Sequence, residues 1–115
     1  RAKTGSNRRS LQTHFFYQAI QFSKKNNINS KIVTLDNMDI VHQIQYFYNA
    51  NIIIGLHGAG LSNIIFSKPN THVIECGTIL YPCFKNLCEK MNLNYYYTNS
   101  KLFKDVKRIL DTFNL

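Results

Sequence analysis

At 115 residues, 44% of them hydrophobic and including eight Phe and seven Tyr, the chain is long enough to bury one core and reads as a single domain, residues 1–115. Cys76, Cys83 and Cys88 form neither a C-x-x-C pair nor an even set, which argues against a disulfide scaffold, and no run reaches the roughly 18 apolar residues of a membrane span. The formal charge is +8, and seven of the basic residues fall between Arg1 and Lys31, ahead of the first acid, Asp36.

Residues 1–10 are polar and basic and read as a lead-in loop. Leu11, Phe15, Ala19 and Phe22 recur at helical spacing, so an amphipathic helix is expected from Leu11 to about Asn26, where Asn26, Asn27 and Asn29 break it. Lys31 to Leu35 is a short β-rich run, expected as a strand. Asp36-Asn37 suits the opening of a helix carrying Ile40, Ile44, Phe47 and Tyr48, from about Met38 to Ala50. Asn51 to Leu56 holds three consecutive isoleucines without alternation, the pattern of a strand buried on both faces in a parallel sheet.

A turn at His57-Gly58-Ala59-Gly60 leads into a short helix to Phe66. His72 to Cys76 is the next strand, Pro82 to Met91 a helix, Leu93 to Tyr97 a strand and Leu102 to Phe113 a closing helix. Alternating strands and helices imply a parallel sheet with helices on its faces. The expected fold is therefore α/β, a Rossmann-like three-layer sandwich with a mostly parallel sheet of about four strands.

The densest chemical signal is Gly55-Leu56-His57-Gly58-Ala59-Gly60-Leu61-Ser62-Asn63, where a strand ends, a glycine-rich turn follows and a helix begins. Ligands of open α/β sheets bind at the carboxyl ends of strands, and glycines let amides approach an anion at a helix start. A diphosphate fits that geometry. A turn kept only for packing is the alternative, and neither G-x-G-x-x-G nor G-x-x-x-x-G-K-[ST] applies. His57 could donate to a phosphate, act as an acid or base, or cap the turn locally. No G-x-S-x-G elbow supports acyl transfer.

Glu75 ends the strand Val73-Ile74. It could take paired bonds from ribose hydroxyls, or be a solvated strand end or a partner of Lys68. His57 and Glu75 are expected to terminate neighbouring strands. Arg8 and Arg9 could clamp a phosphate as a guanidinium fork, or simply be solvated. The basic excess attracts phosphates of nucleic acid, nucleotide or lipid, or it reflects an AT-rich coding bias without a partner. Gln43 reads as polar filler of its helix. The histidines and cysteines do not match zinc spacings, so no metal is expected. Tyr95, Tyr96 and Tyr97 could stack bases, but read more simply as cover for helices on both sheet faces.

Taken together, Gln43, Ala50-x-Ile52-Ile53-Ile54-Gly55-Leu56-His57-Gly58-Ala59-Gly60-Leu61-Ser62-Asn63-Ile64-Ile65-Phe66, Pro69 and Val73-Ile74-Glu75 resemble family 61 of the glycosyltransferases. That family includes plant xylan arabinosyl- and xylosyltransferases and animal O-linked N-acetylglucosamine transferases of the secretory pathway. The resemblance covers roughly residues 8–97. His42 stands where the family commonly has an acid, and Ser62 where it commonly has threonine.

The resemblance implies half of a two-domain (GT-B) architecture and inverting transfer from a nucleotide-diphosphate sugar, with no cofactor and no obligatory metal. It assigns diphosphate contact to His57, Gly58, Ala59, Gly60, Leu61 and Asn63, nucleotide contact to Glu75, and a phosphate arginine to Arg8 or Arg9. His57 is the candidate catalytic residue. The implied partners are the donor, a glycan or glycoprotein acceptor, and an acceptor-binding N-terminal half, expected to lie outside this chain. The implied location is the Golgi or endoplasmic reticulum lumen. A non-catalytic nucleotide-binding module or an inactive fragment is the alternative. A nucleic-acid binder finds no RNA-recognition, zinc-finger or helix-turn-helix motif in support.

Overall fold

The computed structural model describes residues 11–79 and 81–115, and Ala59 by its backbone alone. Helix α1 spans Thr13–Lys25, α2 Ile40–Asn49, α3 Cys83–Met91 and α4 Phe103–Leu110. Strands β1 (Ile52–Leu56), β2 (His72–Cys76) and β3 (Asn94–Thr98) form one parallel sheet in the order β1-β2-β3. A 3-10 helix, Ala59–Phe66, joins β1 towards β2, and a short 3-10 turn, Asp111–Phe113, follows α4. The architecture is the expected Rossmann-like α/β sandwich. Arg8 and Arg9 lie outside the described residues.

The alternation of side chains along β2 builds the two outer layers. Ile74 and Cys76 point to a core with Phe15 of α1 and Phe103, Val106 and Leu110 of α4. Val73 points the other way, to Leu61 and Ile64 of the 3-10 helix and Phe84 and Cys88 of α3, with Phe47 of α2 at its margin. Edge-to-face contact of Phe15 with Phe103, centroids 5.4 Å apart, locks α1 to α4. Tyr95 and Tyr96 cover opposite faces, as expected, while Tyr97 is exposed.

Two expectations are corrected. Among the described residues the sheet has three strands, not about four, because Lys31–Leu35 makes no ladder there. Ile32 and Val33 of that run are exposed, and only Leu35 turns inward, its Cδ1 lying against Gly60. β-Branched residues favour an extended backbone, but a strand also needs a partner edge and a face to cover. In addition, β1 is not the strand buried on both faces that its isoleucines suggest: among the described residues it is the sheet's edge. Each of its residues is half-buried, whereas the last four residues of β2 are buried.

Helix α2 also starts later than its sequence suggests. Asp36 and Asn37 form a turn, and Asp39 is the cap, its Oδ1 accepting from His42 N at 2.9 Å and approaching His42 Nδ1 at 2.7 Å. Among the described residues, every non-glycine residue in the left-handed region is an asparagine: Asn27, Asn37, Asn70, Asn92 and Asn114. Asn92 ends α3 this way, its N–H reaching the carbonyls of Cys88 and Glu89. No helix among the described residues is long and apolar enough to cross a membrane.

Candidate active site

The parallel register pairs Gly55 of β1 with Glu75 of β2 and Tyr97 of β3. Odd-numbered residues of the three strands therefore share the sheet face covered by the 3-10 helix and α3. His57, two residues beyond Gly55, continues that face past the end of β1. It meets Glu75 there, as expected of groups terminating adjacent strands. His57 Nδ1 lies 2.7 Å from Glu75 Oε2, and Tyr95 donates its hydroxyl to Glu75 Oε1 at 2.6 Å. A carboxylate only accepts, so Nδ1 carries the proton and Nε2 is the ring's free polar atom.

Glu75 is 1% exposed, and both oxygens are taken by side chains of this chain. It is neither a solvated strand end nor a partner of Lys68. An uncompensated carboxylate could not be held at that depth, and two charge-assisted bonds are what permit it. His57 is less enclosed, its side chain 19% exposed, with the edge of its ring against Phe84, centroids 5.1 Å apart. Its Nδ1 is thus engaged with a side chain of the neighbouring strand rather than with the backbone of the turn.

The Glu75 charge is felt around it. Burial first, and then Glu75, push the Tyr95 hydroxyl up beyond its ordinary range. The same causes push the Cys76 and Cys88 thiols up to about 11, Lys101 acting weakly in the opposite sense on Cys76. Neither buried thiol is a nucleophile at neutral pH.

The glycines of the turn differ in what they are for. A Cβ on Gly55 would sit 3.3 Å from Leu61 Cδ1, and one on Gly60 would sit 3.2 Å from Leu35 Cδ1. Gly77, just after β2, has φ +89° and would press Leu56 Cδ2 at 2.8 Å. These three serve close packing. A Cβ on Gly58 would meet nothing within 4 Å, and its φ of 166° is extended backbone open to any residue. Space therefore lies open in front of Gly58.

Behind it the 3-10 helix begins, and its first bond runs from Leu61 N to Gly58 O at 3.1 Å. The amides ahead of that bond precede the helical ladder. Leu61 itself is 5% exposed, so it presents backbone rather than side chain to the turn. Asn63 is tied to α2. Its Nδ2 donates to Gln43 Oε1 at 2.7 Å, and Gln43 Nε2 donates to Met38 O at 2.9 Å. Gln43 is thus a bracket between α2 and the 3-10 helix, not filler.

Sequence reading took Tyr95 as sheet cover, Gln43 as filler and Asn63 as a diphosphate contact, and it missed the Tyr95–Glu75 bond, the Phe84 contact and the Gln43–Asn63 bracket. Tyr95 had a usable signal, since it shares the odd-numbered parity of Glu75 on a neighbouring parallel strand. Phe84 and the bracket had none.

Residues 1–74 match the family model described as Glycosyltransferase 61. The chain is also similar to a beta-1,2-xylosyltransferase of Arabidopsis thaliana, 33% identical over 64 residues, which is 54% of this chain and 12% of the relative. A second relative is beta-1,2-xylosyltransferase RCN11 of Oryza sativa subsp. japonica, 30% identical over 80 residues, 68% of this chain and 15% of the relative. The chain therefore matches only a small fraction of the length of these curated relatives.

Proposed function

The chain belongs to glycosyltransferase family 61, and we propose that it is the donor-binding part of a GT-B glycosyltransferase that holds a nucleotide-diphosphate sugar at the turn between β1 and the 3-10 helix. The observation that carries this reading is Gly58. Neither backbone strain nor internal packing asks for glycine there, so the missing side chain serves the approach of something outside the chain. The amides of the turn follow His57 directly in the chain, and an anion suits both.

In this reading the donor's diphosphate rests on the backbone of Gly58, Ala59 and Gly60, the Leu61 amide being spent on Gly58 O, with the doubly protonated His57 ring donating to it through Nε2–H and Arg8 or Arg9 adding positive charge. Glu75 acts through His57 rather than by touching a ribose, because its oxygens are already engaged. Asn63 acts through the fold. The acceptor oxygen forms its bond to the anomeric carbon as the carbon–diphosphate bond breaks, with inversion. The acceptor's proton goes to a base on the acceptor side of the cleft, and the departing charge is stabilised by amides and cations already in position. No cofactor enters.

The names of the two plant relatives favour a pentosyl donor, and the family resemblance favours a secretory-pathway location in the Golgi or endoplasmic reticulum. A glycan or glycoprotein acceptor would be held by the acceptor-binding portion of a longer enzyme.

Calorimetric titration of the folded chain with uridine diphosphate (UDP) and UDP-xylose tests the reading. Binding of both, abolished by Gly58→Asp, is expected. A folded chain that binds no nucleotide diphosphate refutes it.

A further inference from the structure

We propose that Tyr95 and Glu75 are positioning residues that hold His57 in one tautomer, with the proton on Nδ1 and Nε2 as the working nitrogen at the mouth of β1. The proposal rests on the nucleotide-sugar reading for its purpose, but its geometry stands without a ligand. One residue from each of the three strands or their ends takes part, all on the same face. Tyr95 O–H fills Glu75 Oε1 at 2.6 Å, which leaves Oε2, 2.7 Å from His57, as the oxygen that receives the ring. The carboxylate is buried, so water cannot take the place of either donor.

The hydroxyl of Tyr95 is therefore the orienter. It fixes where the accepting oxygen of Glu75 lies; either oxygen of the carboxylate only accepts, so Glu75 puts the proton on Nδ1 and Tyr95 holds Glu75 in place to do so. The T-shaped contact with Phe84 stops the ring from tipping out of the bond. The other titratable groups acting on this cluster are Cys76 of β2, Cys88 of α3 and Tyr97 of β3, with Lys101 acting on Cys76. Burial pushes the Cys76 and Cys88 thiols up, so both are neutral at neutral pH, and the Glu75 carboxylate is the group that receives the imidazole N–H.

Glu75→Gln gives a sharp contrast. Tyr95 would keep hold of the amide oxygen, turning the NH2 group towards His57, and Nδ1 would have to accept. The proton would then move to Nε2. In the double variant Glu75→Gln/Tyr95→Phe the amide is free to flip, and both tautomers should be populated.

Long-range nitrogen–proton NMR correlations of the ligand-free chain, recorded at a pH where the ring is neutral, read this directly. Expected are a protonated Nδ1 in the native chain, a protonated Nε2 in Glu75→Gln and averaged shifts in the double variant. The same tautomer in all three overturns the proposal. Tyr95→Phe alone supplies a second reading if Glu75→Gln does not fold: the freed carboxylate still only accepts, so His57 keeps its proton on Nδ1, and averaged shifts or a protonated Nε2 in the neutral ring overturn the proposal.

UDP titration across pH separates this from the wider reading. In the native chain affinity should weaken about tenfold as the imidazole loses its Nε2 proton, the loss expected for one charge-assisted bond. Glu75→Gln, which keeps a proton on Nε2, should flatten that profile. Native binding with the same slope in Glu75→Gln overturns the positioning role alone. Absence of native binding overturns the donor-site reading and leaves the tautomer result to judge the relay.

Discussion

Replacing Gly58 by alanine separates a glycine kept for the fold from one kept for a ligand. The added Cβ meets nothing within 4 Å, and the backbone at φ 166° and ψ 174° is extended. The folded state therefore loses nothing, while the unfolded chain loses freedom, which by itself stabilises by roughly 0.4–1 kcal/mol. For a domain of 115 residues that is an unchanged melting temperature or a rise of about 2–6 °C.

Binding moves the other way. A methyl group in the approach path of the diphosphate displaces an amide contact of a charged group, about 1.5–3 kcal/mol, or a tenfold to hundredfold loss in UDP affinity. Gly58→Asp adds like-charge repulsion of about 1–4 kcal/mol at 4 Å, depending on how much water screens it. Gly77→Ala is the control, because φ +89° and a 2.8 Å approach to Leu56 Cδ2 make that glycine a requirement of the fold. It should cost about 1–2 kcal/mol or more in stability. Differential scanning fluorimetry and calorimetry on the three variants give both quantities. A Gly58→Ala chain that melts early, or that binds UDP as the native chain does, refutes the reasoning.

Asn63→Ala breaks the bracket to Gln43 and should lower stability by about 1 kcal/mol in urea titrations, while the folded fraction keeps its UDP affinity. A large affinity loss would make Asn63 a ligand contact after all. Asp39→Ala should lower the melting temperature at neutral pH. The backbone bond from His42 holds the Asp39 carboxyl below its ordinary 3.8, so its contribution is present above that value and is lost as pH falls through the lower folded value. The melting curves of variant and native chain should then converge in acid. Among the three free cysteines, only exposed Cys83 should react with a thiol reagent at neutral pH, with Cys76 and Cys88 reacting on denaturation.

The sequence made some of this structure visible because single patterns carried it. The run His72–Cys76 is a strand at the expected bounds, since a compact apolar stretch closed by Glu75 and Gly77 admits little else. The turn after Leu56 was legible from glycine spacing, and the meeting of His57 with Glu75 from parallel alternation. What stayed hidden depended on partners remote in sequence. Ile32 and Val33 have strand-like side chains but pair with no strand among the described residues. Three isoleucines at positions 52–54 suggest burial on both faces, yet an edge position leaves them half-buried. Tyr95 looks like sheet cover until its hydroxyl is seen to reach the carboxylate two residues along in the facing register.

The asparagines that occupy left-handed backbone have a bearing on the glycines. Asn27, Asn37, Asn70, Asn92 and Asn114 do the conformational work for which many chains recruit glycine, and each is stiffer than glycine when unfolded. A chain able to bend with amides has little general use for a bare α-carbon, and this one holds only five glycines. That three of them crowd between positions 55 and 60 is then a signature of absent bulk rather than of curvature. In so asparagine-rich a sequence, a glycine cluster tells more about what must come close than about how the backbone turns.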